Sequence, residues 1–139
     1  MDVSVINNSS EPWLLPLSPG ELARALEVMS VNLPGQGSGP VPVVFELMLL
    51  DDSGMAELNA DFLGLTGPTN VLAFPGGATG SLALAVQTIC RESWLYGQNT
   101  RRYTLKMLAH GLAHLMGYEH GSEMDKQVEL AADFAEAVL

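Results

Sequence analysis

Apolar and polar positions along the chain change period several times, and each change marks an element. Val3 and Val5 alternate with polar neighbours, the period-two pattern of a short strand. Ser18-Pro19-Gly20-Glu21 then reads as a helix start, with an N-cap serine, a proline at the first helical position and a glutamate placed to close a capping box. Leu22, Ala25, Leu26 and Met29 follow at helical spacing, so a first helix runs to about Leu33. The glycine-rich stretch from Pro34 to Pro40 is a flexible connection too short to separate two domains. Residues 41–50, rich in valine, leucine and phenylalanine, read as a second strand that Asp51-Asp52-Ser53 ends. A second helix spans Met55 to Phe62, with Met55, Leu58 and Phe62 as its core face. Asn70 to Phe74 reads as a third strand and Pro75-Gly76-Gly77 as a turn. Leu82 to Cys90 reads as a fourth strand, although its alanines also suit a helix. Asn99 or Thr100 caps a third helix that buries Leu105, Leu108, Leu112 and Leu115. Ser122 caps a last helix, where Val128, Ala131, Ala132 and Ala135 suit close packing.

The order β-α-β-α-β-β-α-α contains two crossovers, which imply parallel pairs, and one close β-β connection, which implies an antiparallel pair. The expected fold is α+β, a single domain over residues 1–139. It has a mixed four-stranded sheet with helices packed on it and a zincin-like metal helix near the C-terminus. The 47% apolar content excludes a disordered chain. The longest apolar run, Val41 to Leu50, is broken by Pro42 and Glu46, so no membrane span is expected. Met1-Asp2-Val3-Ser4-Val5 lacks the basic and apolar regions of a secretory signal, and Cys90, a small core residue, has no second cysteine to pair with. Both point to the cytoplasm, a reducing compartment.

The chemistry concentrates in one segment, His110-Gly111-Leu112-Ala113-His114-Leu115-Met116-Gly117-Tyr118-Glu119-His120, which holds all three histidines. His110 and His114 are four apart on a helix, so they share a face and converge on one zinc ion. Gly117 allows the helix to end in a left-handed turn that returns His120 to the same ion. Three protein ligands leave a fourth tetrahedral position open, the catalytic rather than the structural arrangement, and other divalent metals suit imidazole too. The spacing is also that of the metzincin proteases, but their glutamate base after the first histidine is replaced here by Gly111, which disfavours a protease of that mechanism.

These residues resemble the YbeY family of metal-dependent endoribonucleases, whose C-terminal signature reads roughly H-G-x-L-H-L-x-G-Y-D-H. A second family segment, L-N-x-x-F-R followed by P-T-D-V-L-S-F-P, has its counterpart in Leu58-Asn59-Ala60-Asp61-Phe62-Leu63 and Pro68-Thr69-Asn70-Val71-Leu72-Ala73-Phe74-Pro75. The resemblance implies a single-strand-acting, metal-dependent endoribonuclease of ribosomal RNA (16S 3′ end) maturation and ribosome quality control. The implied partner is RNA, either ribosomal RNA or the small ribosomal subunit, with no DNA. The chain departs from the pattern at Leu63, where the family has arginine, at Asn70 for aspartate, at Ala73 for serine and at Ser81 for aspartate. The losses at Leu63 and Asn70 leave the metal site whole and weaken the expected phosphate contact. Two alternatives stay open: a ribosome-associated assembly factor with weakened or lost nuclease activity, and a zinc hydrolase of a small ester, amide or peptide.

The net charge of −10 opposes broad binding to phosphates. Four of the six basic residues, Arg91, Arg101, Arg102 and Lys106, precede the histidines and are the candidate RNA contacts. Glu119, beside His120, is the candidate catalytic carboxylate for orientation or proton transfer.

Overall fold

The structure, a computed structural model, describes residues 2–36 and 42–139. The elements are β1 (Asp2–Asn8), a turn of 3-10 helix (Pro12–Leu14), α1 (Pro19–Asn32), β2 (Val44–Leu50), α2 (Asp52–Leu63), β3 (Val71–Gly76), β4 (Thr79–Ala85), α3 (Val86–Leu95), α4 (Thr100–Leu115) and α5 (Ser122–Val138). The glycine-rich connection and the first residue of the expected second strand fall partly on 37–41, outside the described residues.

One mixed sheet is ordered β1-β2-β4-β3. β2 pairs parallel with β1 on one side and with β4 on the other, while β3 pairs antiparallel with β4 at the edge. The first crossover therefore makes a parallel pair, as expected. The second does not: the chain leaves β2 through α2 and enters β3 at the far edge, and β4 then folds back between β3 and β2. A tight turn at Gly77, with φ +72°, makes that return possible and starts two residues later than the sequence suggests.

The face of β2 carrying Phe45, Leu47 and Leu49 packs with Leu22, Leu26 and Met29 of α1, Leu105, Leu108 and Leu112 of α4, and the small residues Ala131, Ala132 and Ala135 of α5. A second, smaller core on the opposite face joins Met55 of α2 to Leu72, Ala83 and Ala85. Ser18 caps α1 in a complete capping box with Glu21, and Asn99 caps α4 by accepting from the amide of Arg102.

Three local readings change. The stretch 82–90 is not one strand: β4 ends at Ala85 and α3 begins at Val86, with the β-to-α switch at a single residue. The apolar run is buried throughout, so its period cannot separate strand from helix. Cys90 is buried as expected, but on a helix. Phe62 is not a core residue. It is 63% exposed and meets Phe74 with ring centroids 5.0 Å apart, while Asn59 is buried on the same helix. Ser122 is the first residue of α5 rather than its cap; Gly121 holds the cap position, without a side-chain bond.

Candidate metal centre

α4 carries two of the three histidines because its buried face locks its rotation. Leu105, Leu108 and Leu112 face the core, which turns His110 and His114 to the opposite side, half-buried. Gly111 fixes how closely α4 approaches the sheet. A β-carbon there would lie 2.8 Å from Leu82 Cδ2 and 2.9 Å from Val71 Cγ2. The position where metzincins carry their base is therefore pressed against β3 and β4, with no room for a glutamate.

The helix ends as the spacing predicts. The amide of Gly117 donates to the His114 carbonyl at 3.1 Å and that of Tyr118 to the Ala113 carbonyl at 3.0 Å. Gly117 has φ +95°, and a β-carbon on it would meet the Gln36 carbonyl oxygen at 2.5 Å. The amide of Gln36 in turn donates to the Met116 carbonyl at 2.8 Å, so the segment after α1 clamps the turn that delivers His120.

The ligand nitrogens of His110, His114 and His120 all lie within 4.8 Å of one another. Nε2 of His110 and Nε2 of His114 are 3.2 Å apart, close to the roughly 3.3 Å between two tetrahedral ligands bonded at about 2.0–2.1 Å. Burial holds the His110 imidazole below the ordinary histidine range; His114 and His120 push the same way and Asp125 opposes them. Burial also lowers His114, with His120 adding to the effect and the Tyr118 backbone opposing it. Neutral imidazoles are what a cation requires, so the donor set fits one divalent ion.

A cleft of about 520 Å³ opens on the histidines and is lined also by Leu63, Thr69, Asn70, Val71, Leu72 and Ala73. Leu63, Asn70 and Ala73, three of the four departures named above, thus line the cleft of the three histidines. Ser81, the fourth, lies within β4 opposite Phe74. Asn70 is held by three hydrogen bonds. Its Oδ1 accepts from the Val71 amide at 2.7 Å, its Nδ2 donates to Glu92 Oε1 at 3.0 Å, and its carbonyl accepts from the Ala85 amide. Tyr103 donates its phenol proton to the same Glu92 oxygen at 2.9 Å, and burial followed by the Glu92 carboxylate pushes that phenol up, so it stays a donor. An aspartate at position 70 could not make the bond to Glu92, which gives the amide a structural reason.

The four candidate RNA-contact cations are each engaged by carboxylates of the chain. Arg91 meets Asp52 at 3.1 Å, Arg101 meets Glu21 at 3.3 Å and Lys106 meets Glu129 at 2.8 Å. Arg102 bridges Glu129 at 2.7 Å, Asp133 at 2.9 Å and Glu136 at 3.4 Å. None of the four lines the cleft. Glu119 is exposed on the turn and does not line the cleft either. The residue that the sequence did not bring forward is Asp125, on the first turn of α5, whose charge acts on the His110 ring. Five acidic residues crowd the last seventeen positions, and spacing alone does not tell which one faces α4.

An α+β fold that presents three convergent histidines at the mouth of a cleft defines a metal-binding protein of the hydrolase type. The profile of the family described as Endoribonuclease YbeY matches residues 25–134, and the chain belongs to that family. An Endoribonuclease YbeY of Oleidesulfovibrio alaskensis is 37% identical, covering 82% of this chain and 80% of that protein. One of Nitratidesulfovibrio vulgaris is 34% identical, covering 88% of each, and one of Lawsonia intracellularis is 39% identical, covering 82% and 83%. The solution structure of TM1509 from Thermotoga maritima superposes with a TM-score of 0.68 over 98% of this chain and 90% of that one; at 20% identity it bears on the fold alone. Among the described residues no helix is long and apolar enough to cross a membrane.

Proposed function

We propose that the chain is a metal-dependent endoribonuclease acting on single-stranded RNA, with ribosomal RNA of the small subunit as substrate and the 16S 3′ end as the site of maturation. The observation that carries this is the convergence of His110, His114 and His120 in one cleft, in a chain of the YbeY family. Zinc is the proposed ion, because three neutral imidazoles suit a borderline-soft cation with one open position. When bound, such an ion supplies Lewis acidity to a phosphodiester oxygen.

The chain's own residues do the rest. His110 and His114, fixed by the rigid α4, set the position of the site, and His120 closes it from the turn. Thr69 and Asn70 line the same cleft, with Asn70 held by Glu92 so that this part of the wall keeps its shape. The proposal gives proton transfer to Glu119, next to His120 in the chain, and to Asp125, whose charge acts on the His110 ring. The chain is proposed to work in the cytoplasm.

Elemental analysis of protein purified without added metal, paired with cleavage of a structured RNA, tests this reading. Near-stoichiometric zinc or a similar ion is expected, together with cleavage that is lost with the metal in His110→Ala/His114→Ala. Metal that stays bound in the double variant would overturn the site. Full metal occupancy without any cleavage would overturn the nuclease and leave an assembly factor.

A further inference from the structure

Apart from the three histidines, proposed as ligands of the metal, the cleft is lined by Leu63, Thr69, Asn70, Val71, Leu72 and Ala73. Four of those six side chains are hydrocarbon, and no lysine or arginine lines the cleft. A phosphodiester entering it therefore meets two side chains able to donate besides the histidines, the Thr69 hydroxyl and the Asn70 amide.

The Asn70 amide is already spent. Its Oδ1 accepts from the Val71 amide at 2.7 Å and its Nδ2 donates to Glu92 Oε1 at 3.0 Å. Tyr103 of α4 donates to the same Glu92 oxygen at 2.9 Å. Burial and then Glu92 push the Tyr103 phenol up, and the Asn70 amide acts against them, so the three polar ends stand together. The Asn70 carbonyl accepts from the Ala85 amide at 2.9 Å, which fixes its backbone as well. Tyr103 lies about two helical turns before His110 on the same rigid helix. The element that sets the histidines thus also sets Glu92 and, through Asn70, the place of the residue before it.

That residue is Thr69, half-buried between Asn70 and the stiff ring of Pro68. Among the described residues its hydroxyl has no hydrogen-bond partner. A hydroxyl turns about its C–O bond to suit an acceptor, and the nonbridging oxygens of a phosphodiester are strong acceptors.

We propose that the Thr69 hydroxyl donates a hydrogen bond to a nonbridging oxygen of the RNA phosphodiester, and that Glu92 and Tyr103 position it through Asn70. The inference rests on the ribonuclease reading above. It gives the contact with phosphate to a neutral donor at the cleft wall, in a chain whose arginines are held by its own carboxylates.

Two readouts on the metal-loaded protein test it: binding of a fluorescent single-stranded oligoribonucleotide, and the single-turnover rate of its cleavage. Thr69→Val keeps the shape and removes the hydroxyl. It is expected to weaken binding about tenfold and to slow cleavage about 10²-fold, with Tm and metal content unchanged. Thr69→Ser, which keeps the hydroxyl, is expected to recover both to within about threefold of the wild type. Tyr103→Phe is expected to slow cleavage about fivefold in the wild type and no further in Thr69→Val, a non-additivity that a purely structural role would not produce. Equal binding and cleavage in the wild type and Thr69→Val would overturn the proposal, as would a loss in Thr69→Ser as large as that in Thr69→Val. A wild type that binds the strand without cleaving it, with the Thr69→Val loss of binding intact, would count against the nuclease reading alone. Cleavage that is indifferent to Thr69 would count against this inference alone, and a wild type that neither binds nor cleaves would overturn both.

Discussion

Gly117 has two reasons to be glycine, and they are independent. Its φ of +95° is unfavourable for any L side chain, and a β-carbon would press into the Gln36 carbonyl at 2.5 Å. Gly111 has only the second kind of reason, since its β-carbon would meet the movable ends of Leu82 and Val71. Gly111→Ala is therefore expected to cost about 1–3 kcal/mol by overpacking. Gly117→Ala should cost more, and it alone should lower metal occupancy, because the turn carries His120. Thermal unfolding with and without metal checks both. At Asn70 the expected change has the sign of a like-charge contact. Asn70→Asp would set a second carboxylate 3.0 Å from Glu92 Oε1 in place of a donor. A lower Tm is expected at pH 7, with part of the loss recovered on acidification toward pH 5. A Tm unchanged at both pH values would remove Glu92 from the support of the cleft wall.

At the scale of elements, α4 and α5 are joined by charge as well as by packing. Arg102 reaches three carboxylates spaced along one face of α5, and Lys106 shares Glu129 with it. The hydrogen bond from Lys106, then that from Arg102, hold the Glu129 carboxyl below its ordinary range. Stability from a lowered carboxyl is present above its unfolded value of about 4.3 and is lost as pH falls through the lower folded value. The wild type should therefore lose Tm more steeply below about pH 4.5 than Lys106→Met, in which Glu129 lies nearer its unfolded value. Parallel curves would show that the pair contributes nothing. Because these cations secure α5, Arg102→Glu is expected to act first on stability and only through it on RNA.

For the whole molecule, a metal that binds the folded state and not the unfolded one shifts unfolding by mass action. At free metal about 100 times Kd the gain is about 2.7 kcal/mol, or about 9 °C for a domain of this size. Chelation is expected to remove that shift in the wild type and to have no effect on His110→Ala/His114→Ala. An identical response of the two proteins would mean that the metal binds elsewhere.

Sequence by itself determined the features governed by short spacing. The i, i+4 pair His110 and His114, the glycine exit and the return to His120 follow from helix geometry and from the freedom of one residue, so the convergence of the three histidines was legible before any fold was known. The capping box at Ser18 and the buried faces of α1, α4 and α5 were legible for the same reason. Tertiary structure decided whatever depends on partners distant in the chain. The insertion of β4 between β2 and β3 turns on pairing energies between strands that no local pattern encodes, and the start of α3 is hidden because a fully buried run shows no period. The basic cluster looked like a phosphate surface because its neutralising carboxylates, Asp52, Glu21, Glu129, Asp133 and Glu136, lie 20 or more residues away. Phe62 had the spacing of a core residue, but α2 ends at the rim of the sheet, where its last turn has little left to cover it. Leu63, read as the loss of a cation, is brought by that same helix end into the lining of the histidine cleft, because packing sets where a side chain points and sequence spacing sets only which face it shares.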